Sequence, residues 1–322
     1  MSVFQRFDED NDVVKNQRTI VSSGVFTGGS GTLTSFFSQS AQGASTGSYI
    51  DVYHQNPTAG TATADTAEIQ FSLGYAHIDG SGSAGNTTKL NSGGRQTAAL
   101  YRQFANVILP SLTSRFTFTN TTTGSHDFYF ITFQRARQRE KIDPGNWELK
   151  LSGNMPALFL DDKISLIDDS GATTNPTVNQ GGRVFNVVSG SITNGIHTAA
   201  ADEAAGNMGS YGLFYPDLGI ILLNAPKIEI SGGLGVHDRA ADQHISRSEA
   251  FFDSIVSGSS FTARREEEIS STNYFVRVNN KNFNFSSNPT YTTASDGSLT
   301  QPTYFKDPKT FITPVGLYND DN

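Results

Sequence analysis

HDFYFITFQR (126–135) decides how the chain is read. Five of its ten residues are Phe, Tyr or Ile, side chains that fit a pleated, half-buried surface. RFTFTN (115–120) precedes it across TTTG (121–124), and the two runs read as a hairpin. The signal repeats outward from there.

On the C-terminal side, DPG (143–145) is turn chemistry. NWELKLSG (146–153) then places Trp147, Leu149 and Leu151 on one face and Glu148 and Lys150 on the other. ALFL (157–160), KISLID (163–168), GRVFNVVSG (182–190) and GSITNGIH (190–197) continue the pattern, separated by turn signals such as DDSG and NQGG. TAAADEAAGN (198–207) reads as a short helix or a loop. LGIILLN (218–224) is an apolar run expected to be a buried strand, and PKIEIS (226–231) alternates with Ile228 and Ile230 inward. TNYFVRVNNKNFNFSS (272–287) predicts a hairpin about Asn279–Asn280. TFITPVGLYNDDN ends the sequence with one more strand-like run.

On the N-terminal side, SYIDVYHQN (48–56) and AEIQFSLGYAHI (67–78) are further strands, the second with Ile69, Phe71 and Leu73 on one face. Two helices stand out. GGRQTAALYRQFANVILP (93–110) carries Ala98, Tyr101, Ala105 and Ile108 at helical spacing with Pro110 as a stop, and DRAADQHISRSEAFFDSIVSG (238–258) ends at Gly258. The fold class is therefore mainly β, a β-rich α+β protein of antiparallel sandwich-like units with a few helices, about 95–109 and 238–256, and extended Gly/Ser/Thr-rich arms. The expected divisions are an arm (1–48), a β/helix block (49–135), a central antiparallel region (136–200) and a C-terminal block (201–322). Within the arm, residues 22–48 are rich in Gly, Ser and Thr but include Val25, Phe26, Leu33, Phe36 and Phe37, which a plain linker lacks. The stretch reads as short strands or as an extended arm that docks on a partner.

The composition agrees. Of 322 residues, 36% are apolar and 17% charged, with 31 Gly, 23 Phe and 11 Tyr. A disordered chain would be more charged and less aromatic. The net charge of −8 argues against a nucleic-acid surface. Cysteine is absent, so disulfides and thiolate chemistry are excluded. No run of about 18 apolar residues predicts a membrane span, and the acidic N-terminal stretch lacks the apolar core of a signal peptide.

Motifs that would carry chemistry fail on their context. IDGSGSAGN (78–86) spaces Gly80, Gly82 and Gly85 as a dinucleotide-binding turn. That site also needs a helix directly after the glycines and an acid about 20 residues on. NTTKLNSGG follows instead, and no Asp or Glu lies between Gly80 and His126. GASTG (43–47) matches a nucleophile elbow around Ser45, but a strand leaves it where a helix is needed. Asp8, Asp10 and Asp12 begin a calcium loop, yet Val13 stands where Gly is required and Thr19 where the acid is. No two of the six histidines have the i, i+4 spacing of a helical zinc site. Asp161, Asp162, Asp168 and Asp169 sit in turns, where Asp is common, although dispersed carboxylates of this kind serve glycoside hydrolases. No cofactor or metal is expected.

Two charged runs remain. RARQREK (135–141) could touch phosphate, but with a net charge of −8 it reads first as an inter-subunit salt-bridge patch. ARREEE (263–268) reads as a network whose charges satisfy each other, within one chain or across subunits.

GLFYPDLGIILLN (212–224), SGSSFTARREEEISSTNYFVRVNNKNFNFSSNPTY (257–291) and YFKDPKTFITPVGLYNDDN (304–322) resemble a virion structural protein of T4-like contractile-tailed phages of the marine cyanophage type. AEIQFSLGYAHIDGSGS (67–83) and QTAALYRQFANVIL (96–109) look like the N-terminal block of the same family. The resemblance touches both ends and does not extend over residues 110–200. It implies a non-enzymatic subunit of the tail, baseplate or neck, foremost the baseplate or tail-fibre attachment region. Such a subunit is made in the bacterial host cytoplasm and located in the virion. Its partners would be other tail proteins, with several copies in a symmetric assembly. In similar proteins the chain runs on past the GLYND segment, so a C-terminal docking role is not carried over. The candidate assembly contacts are Phe36, Phe37, Arg264, Arg265, Tyr274 and Phe275. The alternatives are a neck or collar protein, a receptor- or glycan-binding fibre module using Tyr211 and Tyr215, and a hydrolase using the turn carboxylates.

Overall fold

The computed structural model describes residues 8, 10, 13–38, 49–57, 67–79, 92–111, 114–119, 123–153, 163–172, 176–196, 210–231, 234, 244–275, 286, 288–293, 296–307 and 316. The chain forms two compact units. One is Ile20–Ile269, and the other joins Met1–Thr19 to Ser270–Asn322.

The strands are β1 (Val13–Gly24), β2 (Thr32–Leu33), β3 (Ile50–Tyr53), β4 (Ile69–His77), β5 (Asp127–Phe133), β6 (Lys141–Ser152), β7 (Lys163–Asp168), β8 (Thr177–Asn179), β9 (Gly182–Ser191), β10 (Gly195–Ile196), β11 (Gly212–Tyr215), β12 (Ile220–Asn224) and β13 (Phe261–Tyr274). The helices are α1 (Ser92–Ile108), α2 (Arg135–Gln138), α3 (Ala225–Ser231) and α4 (His244–Gly258). The architecture is mainly β, as the sequence predicts. The main path of the sheet runs β1-β13-β6-β7-β9-β11-β12-β5-β4-β3, with β2 on β13 and β8 and β10 on β9.

The sheet curls on itself. Phe261 of β13 meets Phe71 of β4 at 5.2 Å and Phe133 of β5 at 5.5 Å between ring centroids, although these strands are far apart in the order. A short stretch of chain spans the gap. Leu33 pairs with Phe261, and Phe37 bridges to Tyr53 at the β3 end. Between Ala263 and Arg265 the register shifts, because Asp143, Pro144, Gly145 and Asn146 of β6 stand opposite the single Arg264; extra residues of this kind bend the strand that carries them.

The curl explains why HDFYFITF does not alternate with polar residues. Tyr129, Ile131 and Phe133 enter the core inside the curl, while Phe128 and Phe130 enter a second core under α1. A strand covered on both faces reads as a continuous apolar run. β4 is likewise buried on both faces, with Gln70 and Ser72 inside beside Phe71 and Leu73. Each fully buried Phe contributes about 1.5–3 kcal/mol relative to exposure.

Over the second core, α1 turns one stripe inward: Leu100, Tyr101, Phe104, Ala105 and Ile108. These fall at the i, i+1, i+4, i+5 and i+8 positions of a single helical face. On the other side, α4 sends Phe251 and Ile255 into the inner core. The helix ends where its backbone touches β6: a Cβ on Gly258 would lie 2.0 Å from the Lys150 carbonyl oxygen, so only glycine fits.

Several expectations are corrected. RFTFTN is not a strand. β5 already has β4 on one side and β12 on the other, so its ladder has no place for a hairpin partner. Residues 114–119 run as an extended strip that buries Phe116 and Phe118 against α1 and β5. PKIEIS is the helix α3, not a strand. Pro226 suits its first turn, where a missing N–H costs nothing. The stretch 22–38 is not an arm awaiting a partner, because Val25, Phe26, Leu33 and Phe36 lie in the chain's own core. The main unit also crosses the expected boundaries after residues 48, 135 and 200, since its sheet order interleaves the early and late strands. ALFL, TAAADEAAGN, the hairpin about Asn279–Asn280, most of TFITPVGLYNDDN and residues 238–243 of the second predicted helix fall outside the described residues.

Candidate functional site

The feature richest in chemistry is a polar cluster built into the inner core where β4, β5, α3 and α4 meet. Arg247 lies on α4 one and two turns before Phe251 and Ile255, on the face that enters the core. Glu229 lies on α3 beside buried Ile228. Arg247 Nη1 donates to Glu229 Oε1, and Tyr129 OH donates to the same oxygen at 3.1 Å. The guanidinium stands 4.8 Å above the ring of Tyr75, whose OH donates to Asp127 Oδ2 at 2.9 Å. Burial pushes the Tyr75 and Tyr129 hydroxyls well above the ordinary range, so both stay protonated and act as donors. Among the described residues, Arg247 Nε and Nη2 have no hydrogen-bond partner.

The cluster continues to the surface. Burial holds His77 below its usual range, and its Nδ1 accepts the Asp79 N–H at 3.1 Å. Asp79 in turn contacts His126 at 2.9 Å. Among the described residues no group of three or more His, Asp or Glu is arranged to hold a metal ion.

Elsewhere the charges find each other within the chain. Arg139 and Arg265 both pair with Glu267, and Lys141 reaches Glu266 at 2.9 Å. The Glu268 N–H donates to Glu140 Oε2 at 2.8 Å, and Arg137 pairs with Glu68. Residues of RARQREK and ARREEE therefore pair within one chain, because Lys141 and Ile142 of β6 lie opposite Glu266 and Arg265 of β13. This corrects the reading of RARQREK as an inter-subunit patch. Arg139 reaches its position from a left-handed backbone (φ 57°) just after α2, a conformation uncommon outside glycine.

The turn carboxylates serve the backbone. Asp168 accepts the N–H groups of Gly145 and Ser170 at 2.8 and 2.9 Å, and Asp169 accepts the N–H and side-chain amide of Asn186. Burial raises Asp168 above the usual carboxylate range. Asp161 and Asp162, with Gly80, Gly82, Gly85 and Ser45, lie outside the described residues.

The candidate contacts separate. Phe36 is buried at 7% exposure, which removes it as a contact, whereas Phe37 is exposed. Arg264 is exposed, but Arg265 is engaged by Ser23 Oγ and the Arg137 carbonyl. Tyr274 and Phe275 are exposed at the end of β13. Tyr211 and Tyr215 are buried, so neither offers a ring to a sugar. Sequence reading missed the Arg247–Glu229 pair. Its signal was a charge standing on each of two otherwise apolar stripes.

Comparisons with protein families, with curated proteins and with solved structures return no match. No helix among the described residues is long and apolar enough to cross a membrane.

Proposed function

We propose that the chain is a structural subunit of a contractile phage tail, in the baseplate or tail-fibre attachment region, and that it acts through protein–protein contacts and not through catalysis. The resemblance of residues 67–83, 96–109, 212–224, 257–291 and 304–322 is the ground for the family. The structural observation that favours assembly is the end of the sheet. β1 closes the strand order, and among the described residues only β13 lies beside it. Its Ile20 and Val21 are 66% and 40% exposed. A long terminal strand of this kind accepts an added strand, the backbone giving affinity and the side chains register. The engagement of Asp168 and Asp169 in turns supports a structural role for the acids that a hydrolase would need.

The test is co-expression of the full chain with the tail proteins of a T4-like cyanophage, followed by co-purification and light scattering. Stable association with a tail protein, or a defined oligomer, is expected. A chain that remains monomeric and co-purifies with none of them overturns the reading.

A further inference from the structure

His126 stands just before β5, and its two ring nitrogens face opposite charges. Nδ1 lies 2.9 Å from Asp79 Oδ2, and Nε2 lies 2.7 Å from Arg115 Nη1. A guanidinium can only donate. Nε2 must therefore accept, which leaves the single ring proton of the neutral imidazole on Nδ1, donated to Asp79. Both nitrogens are satisfied in one tautomer only.

We propose that His126 is a proton-operated clasp: neutral, it joins Asp79 to Arg115, and protonated, it keeps Asp79 and releases Arg115. A proton added at Nε2 removes the lone pair that Arg115 uses and sets two donors of like charge against each other. The side chains of His126 and Asp79 are 50% and 58% exposed, so solvent protons reach them directly.

The surroundings leave this pair of contacts in charge. Among the described residues Asp79 is the acid bonded to the ring, and the hydrogen bond from His126 holds its carboxyl below the usual range. His77 of β4 has its ring 6.4 Å away, and burial holds it below its usual range. Asp127 of β5 is committed to Tyr75. Tyr101 of α1 donates to the Ser125 carbonyl and accepts the Phe116 N–H. From α4, Arg247 bears on His77. Arg115 begins the strip whose Phe116 and Phe118 cover α1, so opening the clasp frees one tether of that strip and presents a cation at the surface. This behaviour does not depend on the assembly role.

The test uses the full chain with 15N-labelled histidine and arginine, titrated by NMR from neutral to acidic pH beside the variants R115Q and D79N. At neutral pH His126 is expected to be protonated on Nδ1. The Arg115 guanidinium signals should move in step as Nε2 gains its proton. R115Q should remove the link between the ring and the strip, and D79N should let the neutral ring carry its proton on either nitrogen. A neutral ring protonated on Nε2 in the parent chain, or Arg115 signals that ignore the protonation of His126, overturns the proposal.

Discussion

Arg247 and Glu229 form an ion pair inside the core, with side chains 1% and 4% exposed. Burying such a pair costs more in desolvation than its attraction returns unless further hydrogen bonds complete it. Here Tyr129 completes the acid, while the guanidinium keeps two nitrogens without partners among the described residues. Glu229→Ala should therefore destabilise the chain by about 3–5 kcal/mol, since it strands a buried cation. The double variant Arg247→Met, Glu229→Leu should lose less than either single variant. Urea denaturation of the three proteins checks the order, and a double variant worse than both singles contradicts it.

The aromatic contact that closes the curl gives a second prediction. Phe261 touches the rings of Phe26, Phe71 and Phe133 and is fully buried. Phe261→Ala should cost roughly 3–5 kcal/mol. Because β13 and β4 meet through this ring, the backbone amides of both strands should lose protection in hydrogen exchange. Loss confined to β13 would show that the rings do not join the two ends of the sheet.

Gly258→Ala tests the crossing of α4 and β6. The added methyl meets the Lys150 carbonyl, a backbone atom that cannot rotate away. The expected cost is on the order of 1–3 kcal/mol, visible as a lowered Tm. Gly171→Ala, where a Cβ meets nothing, serves as the control and should leave Tm nearly unchanged.

Asp168 gives a pH dependence of definite sign. Its folded-state value is raised by burial, so the native chain binds the proton more tightly than the unfolded one. Its contribution therefore favours the fold below the folded-state value and weakens as pH rises through the window between the unfolded and folded values. The stability of the parent chain minus that of Asp168→Asn should increase on acidification through the carboxylate range. Equilibrium denaturation at stepped pH measures the difference, and a decrease on acidification would refute the assignment.

The strands were legible because their period is local. Trp147, Leu149 and Leu151 face inward as the alternation in NWELKLSG requires, and LGIILLN is the buried β12. The helix about 95–109 was legible from the Ala98–Ile108 stripe for the same reason. RFTFTN misled because its Phe spacing records burial and not pairing. Whether it pairs depends on the distant β12 having taken the free edge of β5. PKIEIS misled because six residues can satisfy either period. The match between RARQREK and ARREEE needed the pairing of β6 with β13, which no local pattern specifies. The polar cluster was the least legible part, since Arg247, Glu229, Tyr75 and Asp127 come from four separate elements.

The joint that closes the curl also fixes when the chain can finish folding. Thr32 and Thr262 share a hydroxyl hydrogen bond across 230 positions of sequence. A ribosome must therefore release β13 before β2 finds its neighbour, and every earlier strand waits in a sheet with an open margin. Pairing at such long range makes folding slow, and the open margin is exposed to other nascent chains for that whole interval. Expression at reduced temperature, where synthesis and competing aggregation both slow, should raise the soluble yield of the full chain far more than that of a locally paired protein of the same length.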